Sequence, residues 1–453
     1  MTKQQQVIAR LKQQSVLILG AGLSGLSCLE FLYAQNVVCA LNDSRENAVE
    51  HKKFVQKYPD VRLSLGAWDK ELIANADVVI ISPGIDPNTP ELAETLQQHN
   101  NVIGDIELFC QMVNAPIVAV TGSNGKSTVV SALAHVGQAL GHKVVLGGNV
   151  GLPILSQMAD DVDCYILELS SFQLETVNSL KARAAAVLNV SDDHLDRHQT
   201  IENYAEVKRR IYQNCELAIT NASDPLTAVD STQRQVSFGG VNSGAEYAIA
   251  QFDHEFKLVV NGKPVALLSE LPLAGIHNGL NYLAVLALGN AIGWQSSEIT
   301  LHLKTFNGLA HRCQVVATDD GVIWINDSKA TNVGATVAAI EGIGPTISDE
   351  KKLIVIAGGD GKGADFSPLK GIFQQYVSQL IVLGKDASLI APLATSAVRV
   401  ETLEQAVELA KEIVIPGDVV LLSPACASID MFTNFAERGE RFAAAASSKE
   451  KRV

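Results

Sequence analysis

Short apolar runs alternating with longer amphipathic stretches along most of the chain restrict its fold more than any other feature. The runs are Val16–Leu19, Val37–Leu41, Val78–Ile81, Ile117–Val120, Tyr165–Leu167, Ala185–Val190, Leu353–Ala357, Leu380–Leu383 and Val419–Leu422. An uninterrupted apolar run of this length is a strand covered on both faces, and such strands joined by helices build parallel sheets. The expected class is α/β, assembled from βαβ units. Between Val236 and Leu271 the pattern shifts to alternation, as in Phe256–Val260, beside the hairpin-type pair Asn261-Gly262, so a small antiparallel insertion is expected there.

At about 150 residues per domain, 453 residues suggest three domains. Joints near Gly104 and at Asn307–Arg312 divide the chain into 1–104, 105–309 and 310–453, with SSKEKRV as a frayed tail. Acidic residues number 49 against 35 Lys plus Arg, a net charge of −14 that argues against a nucleic-acid partner. The seven cysteines are scattered singly, without the CxxC spacing of a zinc site or the even count of a disulfide framework. There is no apolar signal core, and no apolar run approaches the roughly 18 residues of a membrane span. The expectation is a cytoplasmic protein.

Gly20-Ala21-Gly22-Leu23-Ser24-Gly25 follows the first strand and opens a helix, and Asp43 ends the next strand. These glycines let a diphosphate meet a helix N-terminus, and Asp43 could bind a ribose hydroxyl. The turn reports a diphosphate, so NAD and a UDP-linked substrate both remain open. In either case Asp43, Ser44 and Arg45, with Ser82, Pro83 and Gly84 at a later strand end, would line the pocket.

A second phosphate motif, TGSNGKST, lies directly between strand Ile117–Val120 and a helix. Its backbone N–H groups suit phosphates, Lys126 suits the β/γ-phosphates, and Ser127 or Thr128 suits Mg²⁺. The usual loop carries glycine six residues before the lysine; here that position is Val120. Downstream, Glu168 and His194 stand at strand ends and are candidate magnesium ligands. Lys208 falls near the centre of the apolar arc formed by Ile201, Tyr204, Ala205, Val207, Ile211 and Tyr212. Burial would favour its neutral amine, which can react with CO₂ to give an anionic carbamate; the alternative is a lysine snorkelling to the surface. In the last third, INDSKATN, GGDGKGADF and SPACAS each follow a strand and present lysines and hydroxyls suited to a small dicarboxylate.

Together TGSNGKST, GGNVG, LELSSFQLE, NVSDDHLDRH, HRCQ, INDSKATN, GGDGKGADF and LLSPACASID resemble the Mur ligases of peptidoglycan synthesis over essentially the whole chain. The family's phosphate loop has the form TGxxGK[ST], which accommodates Val120. The resemblance implies a Rossmann-like N-terminal domain, a P-loop-type central ATPase domain with a mostly parallel sheet, and a Rossmann-like C-terminal domain. It implies ATP and Mg²⁺, with UDP-N-acetylmuramoyl-L-alanine and D-glutamate as the substrates that GGDGKGADF and SPACASID favour. By matching motif, Leu23, Ser24, Asp43, Ser44, Arg45, Ser82, Pro83, Gly84 and Asn149 would hold the UDP-substrate. Gly122, Ser123, Asn124, Gly125, Lys126, Ser127 and Thr128, with Asn278, Arg312 and Asp327, would hold ATP. Ser127, Glu168, His194 and a carbamylated Lys208 would surround the metal, with Lys126 among the catalytic residues. Lys329, Thr331, Lys362, Ser428, Ile429 and Phe435 would surround D-glutamate, in a chain expected to be a monomer.

Overall fold

A computed structural model describes residues 1–99, 101–230, 232–252, 255–273, 275–348 and 350–448. Of the expected frayed tail, residues 449–453 lie outside the described set. Two compact units form the chain: Met1–Val190 with His194–Phe238 and Ala284–Ile299, and Ser191–Asp193 with Gly239–Leu283 and Thr300–Val453.

The first unit opens with an all-parallel sheet of β1 (Val16–Leu19), β2 (Cys39–Asp43), β3 (Arg62–Leu65), β4 (Val78–Ile81) and β5 (Val102–Ile103), in the order β3-β2-β1-β4-β5. Strand order reverses between β1 and β4, so the connections leave their C-terminal ends in opposite directions and open a crevice there. A second parallel array follows: β6 (Ile117–Thr121), β7 (Val144–Gly148), β8 (Cys164–Glu168), β9 (Ala184–Val187), β10 (Ala218–Asn221) and β11 (Gln235–Gly239), ordered β11-β10-β9-β6-β8-β7. β6, β8 and β9 are buried throughout, which is why they read as continuous apolar runs.

The helix Asp105–Met112 joins the two arrays and buries Ile106, Leu108, Phe109 and Met112 in a single core continuous from Val7 to Ala218. Its Glu107 accepts hydrogen bonds from the Asn178 and Ser179 N–H groups and the Ser179 hydroxyl at 2.6–2.8 Å. The junction after Gly104 is therefore a packed helix and not an open linker.

In the second unit β12 (Tyr247–Phe252), β13 (Glu255–Val260) and β14 (Lys263–Leu267) form an antiparallel meander, with Asn261 and Gly262 at φ 49° and 76° in the β13–β14 turn. The expected antiparallel insertion began too early, because β11 pairs in parallel with β10. Three of its five residues are not fully buried, and a half-covered parallel strand carries the same alternation as an antiparallel one.

The remaining sheet holds β15 (Gln314–Val316), β16 (Ile323–Asn326), β17 (Leu353–Gly358), β18 (Gln379–Leu383), β19 (Ala397–Arg399) and β20 (Val419–Leu422), ordered β15-β16-β20-β17-β18-β19. Only β15 runs antiparallel to its neighbour. Val355, Val382 and Leu421 face the helices Val333–Ile343 and Leu369–Tyr376, while Ile356, Ile381 and Val420 face Leu403–Ile413 and Phe435–Ser447. Alternate residues enter opposite cores, which makes this sheet doubly wound. Among the described residues no helix is long and apolar enough to cross a membrane.

Candidate active site

The crevice at the β1–β4 reversal is a cavity of about 660 Å³. Gly20 leaves β1 at φ 96°, and a Cβ there would stand 2.8 Å from the Ser82 hydroxyl. A Cβ on Gly25 would stand 1.8 Å from the Gly20 carbonyl oxygen, so helix Leu23–Ala34 can approach the turn only with glycine at that position. Leu23 and Ser24 line one side of the cavity, Asp43, Ser44 and Arg45 a second, and Ser82, Pro83 and Gly84 a third. The far wall belongs to the second sheet of the same unit, through Gly148, Asn149 and Gln173.

The Asp43 carboxylate accepts the Ala21 N–H at 2.8 Å, the Arg45 N–H at 2.9 Å and the Arg45 guanidinium at 2.7 and 2.9 Å. Burial opposes ionisation, but these hydrogen bonds outweigh it and hold the carboxyl down to about 2. Asp43 thus fastens the diphosphate-type turn to Arg45. Asp105 also lines the cavity; burial lifts its carboxyl to about 6 against hydrogen bonds from Ile106 and Ser24.

The loop after β6 runs from Gly122 to Gly125 and enters the helix Lys126–Ala139, with Gly125 left-handed at φ 83°. β9 stops at Val187, short of the expected Val190, because Asn189 turns to clamp the loop. Its carbonyl accepts the Ser123 N–H, its side-chain oxygen accepts the Asn124 N–H at 2.8 Å, and its amide donates to the Asn124 carbonyl at 3.1 Å. Lys126 Nζ donates to the carbonyls of Gly122 and Ser123 at 2.6 and 2.8 Å. Lys208 Nζ, on helix Ile201–Arg209, reaches the same Gly122 carbonyl at 3.0 Å while lying 4.2 Å from the Tyr204 ring centroid. The side chain is 1% exposed, so the apolar-arc position buries it and does not let it snorkel.

Glu168 ends β8 in register with Val120 on one side and Gly148 on the other. Its Oε1 accepts the Asn149 amide at 2.8 Å, while Oε2 is buried without a hydrogen-bond partner among the described residues. The same holds for Thr121 Oγ1 on the neighbouring strand. Two orphaned oxygens beside a phosphate-type loop are chemistry that a hard cation would satisfy. Among the described residues no group of three or more His, Cys, Asp or Glu forms a ready-made metal cage. His194 sits at φ 53°, a strained value for a non-glycine residue, with its ring edge-on to Phe172 at 4.8 Å. Arg197 covers the same ring at 4.3 Å, pairs with Glu175 and donates to the Pro83 carbonyl at 3.1 Å, tying this turn to the cavity rim.

In the second unit the ends of β16, β20 and β17 lie side by side, although β20 comes last in sequence. Asp327 follows β16, is buried, and accepts the Cys313 N–H at 3.2 Å and the Ser423 hydroxyl at 2.9 Å. Burial raises its carboxyl to about 7, against those hydrogen bonds and the charge of Arg312. His311 and Cys313, flanking Arg312, both have positive φ, 64° and 45°. Asn278 opens the helix Ile276–Ala291 and its side-chain oxygen accepts from Asn281 at 3.2 Å. Lys329 Nζ lies 3.9 Å from the Phe435 ring centroid, and Thr331 follows in the same turn. Ile429 is an apolar side chain left 65% exposed beside buried Ser428, and Lys362 projects from a loop at φ 52° whose Asp360 bridges to Ala427.

Family models match the chain in three consecutive segments: a Mur ligase MurD-like N-terminal domain over residues 14–104, a Mur ligase middle domain over 120–289 and a Mur ligase glutamate ligase domain over 311–426. A curated relative from Colwellia psychrerythraea, named UDP-N-acetylmuramoylalanine–D-glutamate ligase, is 49% identical across 97% of this chain and 98% of its own. The chain belongs to the Mur ligase family. Relatives of the same name from Coxiella burnetii and Haemophilus influenzae are 43% and 42% identical over 94% and 95% of the chain, and 97% of each relative. Among solved structures, MurF from Acinetobacter baumannii aligns over 97% of this chain and 98% of its own at TM-score 0.65 and 17% identity. MurC from Thermotoga maritima aligns over 95% and 98% at TM-score 0.59 and 20% identity. At these identities the likeness shows the fold.

For this Mur ligase the structure gathers the sequence-derived residues into three groups: the cavity lining, the loop with Lys126, Lys208 and Glu168, and the three strand ends of the second unit. His194 packs its ring edge-on against Phe172. Sequence reasoning missed Asn189, Asp105, Trp68 and Arg197. Trp68 and Asn189 each follow a strand C-terminus and were legible by position; Asp105 and Arg197 act across elements distant in sequence.

Proposed function

We propose that this Mur ligase is an ATP-dependent, ADP-forming amide ligase, acting as a cytoplasmic monomer, that adds D-glutamate to UDP-N-acetylmuramoyl-L-alanine, the reaction its relatives' names describe. Residues 1–104 bind the UDP-substrate, 105–309 bind ATP and 310–453 bind the amino acid. The observation that carries this reading is the shared wall of the cavity. A ligand seated on the Gly20–Gly25 turn extends to Asn149, whose amide is bonded to Glu168 beside the phosphate loop. Asp43, the side chain an NAD ribose would need, is already engaged by Arg45 and Ala21, which favours the UDP-linked ligand.

Joining a carboxylate to an amine in water requires activation. A P–O bond forms between the substrate carboxylate and the γ-phosphorus of ATP as the bond to ADP breaks. The neutral amine then attacks the acyl carbon, a C–N bond forms, phosphate leaves and the amine's proton is released. Gly122–Thr128 cradle the phosphates, and Lys126 swings from its loop carbonyls to the transferring group, offsetting charge as it develops. Asn149 orients the acceptor carboxylate. Asn278, Arg312 and Asp327 are assigned to nucleotide contacts. Lys329, Thr331, Lys362, Ser428, Ile429 and Phe435 are assigned to D-glutamate, with the ammonium groups on its carboxylates and Ile429 and Phe435 on its methylenes. The orphaned Glu168 oxygen fits magnesium, with Ser127, His194 and a carbamylated Lys208 completing the set; when bound, the ion supplies charge neutralisation.

An amino-acid screen with ATP and UDP-N-acetylmuramoyl-L-alanine tests the reading. Phosphate release should require both the UDP-substrate and D-glutamate. Release with neither, or tight NADH binding without a response to the UDP-substrate, would overturn it.

A further inference from the structure

Arg438 is a cation buried without a carboxylate partner among the described ion pairs, and it takes no part in the chemistry above. It lies in the first turn of helix Phe435–Ser447 and is 2% exposed. Its Nε donates to the Ser328 hydroxyl at 3.0 Å, and its Nη2 donates to the Ser328 carbonyl at 2.8 Å and the Cys426 carbonyl at 3.1 Å. The Ser328 hydroxyl in turn donates to the Phe435 carbonyl at 2.8 Å. Nη1 has no hydrogen-bond partner among the described residues and faces Gly359, where a Cβ would come within 3.3 Å of it and 2.3 Å of the Ala427 carbonyl oxygen.

Each segment that the guanidinium touches carries residues assigned to D-glutamate. Ser328 precedes Lys329 and Thr331, Cys426 precedes Ser428 and Ile429, Phe435 starts the arginine's own helix, and Gly359 leads to Lys362. These segments are distant in sequence and end on three neighbouring strands, β16, β20 and β17. A planar group with donors in a fixed fork can set their mutual register; a lysine, with one donor head, can hold the carbonyls but not the hydroxyl at the same time.

We propose that Arg438 is the positioning residue of the amino-acid site, holding the Lys329 turn, the Ser428 turn and Phe435 at the spacing that D-glutamate needs. The inference rests on the functional reading above. A purely structural arginine would lower stability and the active fraction, which changes kcat for all substrates together. A positioning arginine changes the KM of one.

The test is steady-state kinetics of the full chain with each substrate varied in turn, alongside thermal unfolding. Arg438→Lys should raise KM for D-glutamate roughly tenfold and Arg438→Met roughly a hundredfold, with KM for ATP and the UDP-substrate within about twofold of wild type. Ser328→Ala removes one acceptor and leaves the guanidinium, so it serves if Arg438→Met fails to fold. It should raise KM for D-glutamate by roughly threefold alone and add nothing in the Arg438→Lys background. Parallel changes in all three KM values, or an unchanged KM for D-glutamate in both Arg438→Lys and Ser328→Ala, would overturn the inference while leaving the functional reading intact. Wild-type protein that forms no product with D-glutamate would overturn both.

Discussion

Replacing Asp327 with Asn tests the buried carboxyl through the pH dependence of stability. Burial raises this group from 3.8 to about 7, so the folded chain holds a proton that the unfolded chain has released. Its contribution is complete below the unfolded value and is lost as pH rises through the folded one. At about 1.4 kcal/mol per pH unit, the full loss is about 4 kcal/mol, of which about 2 kcal/mol falls between about pH 5.5 and about pH 8.5. Asn keeps an oxygen for the Cys313 N–H and cannot ionise; the Ser423 hydroxyl can rotate to accept from its amide. Urea unfolding of both proteins at the two pH values, followed by fluorescence, provides the measurement, and the comparison cancels every other titrating group. The expected result is a stability difference that moves by about 2 kcal/mol in favour of Asp327→Asn at the higher pH. Parallel pH dependence in the two proteins would refute the reasoning, because the carboxyl would then be ionised in the folded chain across the whole range.

Lys126→Ala should abolish ligation, by at least about a thousandfold in kcat, while calorimetry finds UDP-substrate binding nearly unchanged, since the lysine acts on developing phosphoryl charge. Gly148→Ala places a Cβ 2.2 Å from the Glu168 carbonyl oxygen at a φ of 96°, so the β7–β8 ends must part. Thermal unfolding should show a loss of at least about 1–2 kcal/mol, and activity should fall further because Asn149 and Glu168 move together. Lys208→Arg should fold and bind the UDP-substrate but fail in catalysis, and labelled bicarbonate should give a carbamate carbon resonance in wild type alone. Full activity in the arginine variant would leave Lys208 as a structural lysine on the Gly122 carbonyl.

The apolar runs by themselves determined the class, because a strand buried on both faces reads as a continuous apolar run, as β20 does throughout and β6 and β8 do up to their last residues, Thr121 and Glu168. Turn chemistry determined where ligands approach: Gly20, Gly25 and Gly125 stand where a side chain would collide or strain the backbone, a constraint visible in one residue at a time. The helical period of Ile201–Tyr212 likewise put Lys208 on the apolar arc, and the tertiary packing decided between burial and snorkelling by burying it. What the sequence could not determine is which strand end lies beside which. β20 inserts between β16 and β17 although it follows both in sequence, and that pairing brings Ser423 to Asp327 and Arg438 to Ser328. The antiparallel insertion was placed too early at β11 for a related reason: alternation reports how many faces are covered, and coverage depends on neighbours from elsewhere in the chain. The raised carboxyl of Asp327 and the orphaned oxygen of Glu168 belong to the same category, since desolvation is set by everything packed around a group and not by the residues next to it in the chain.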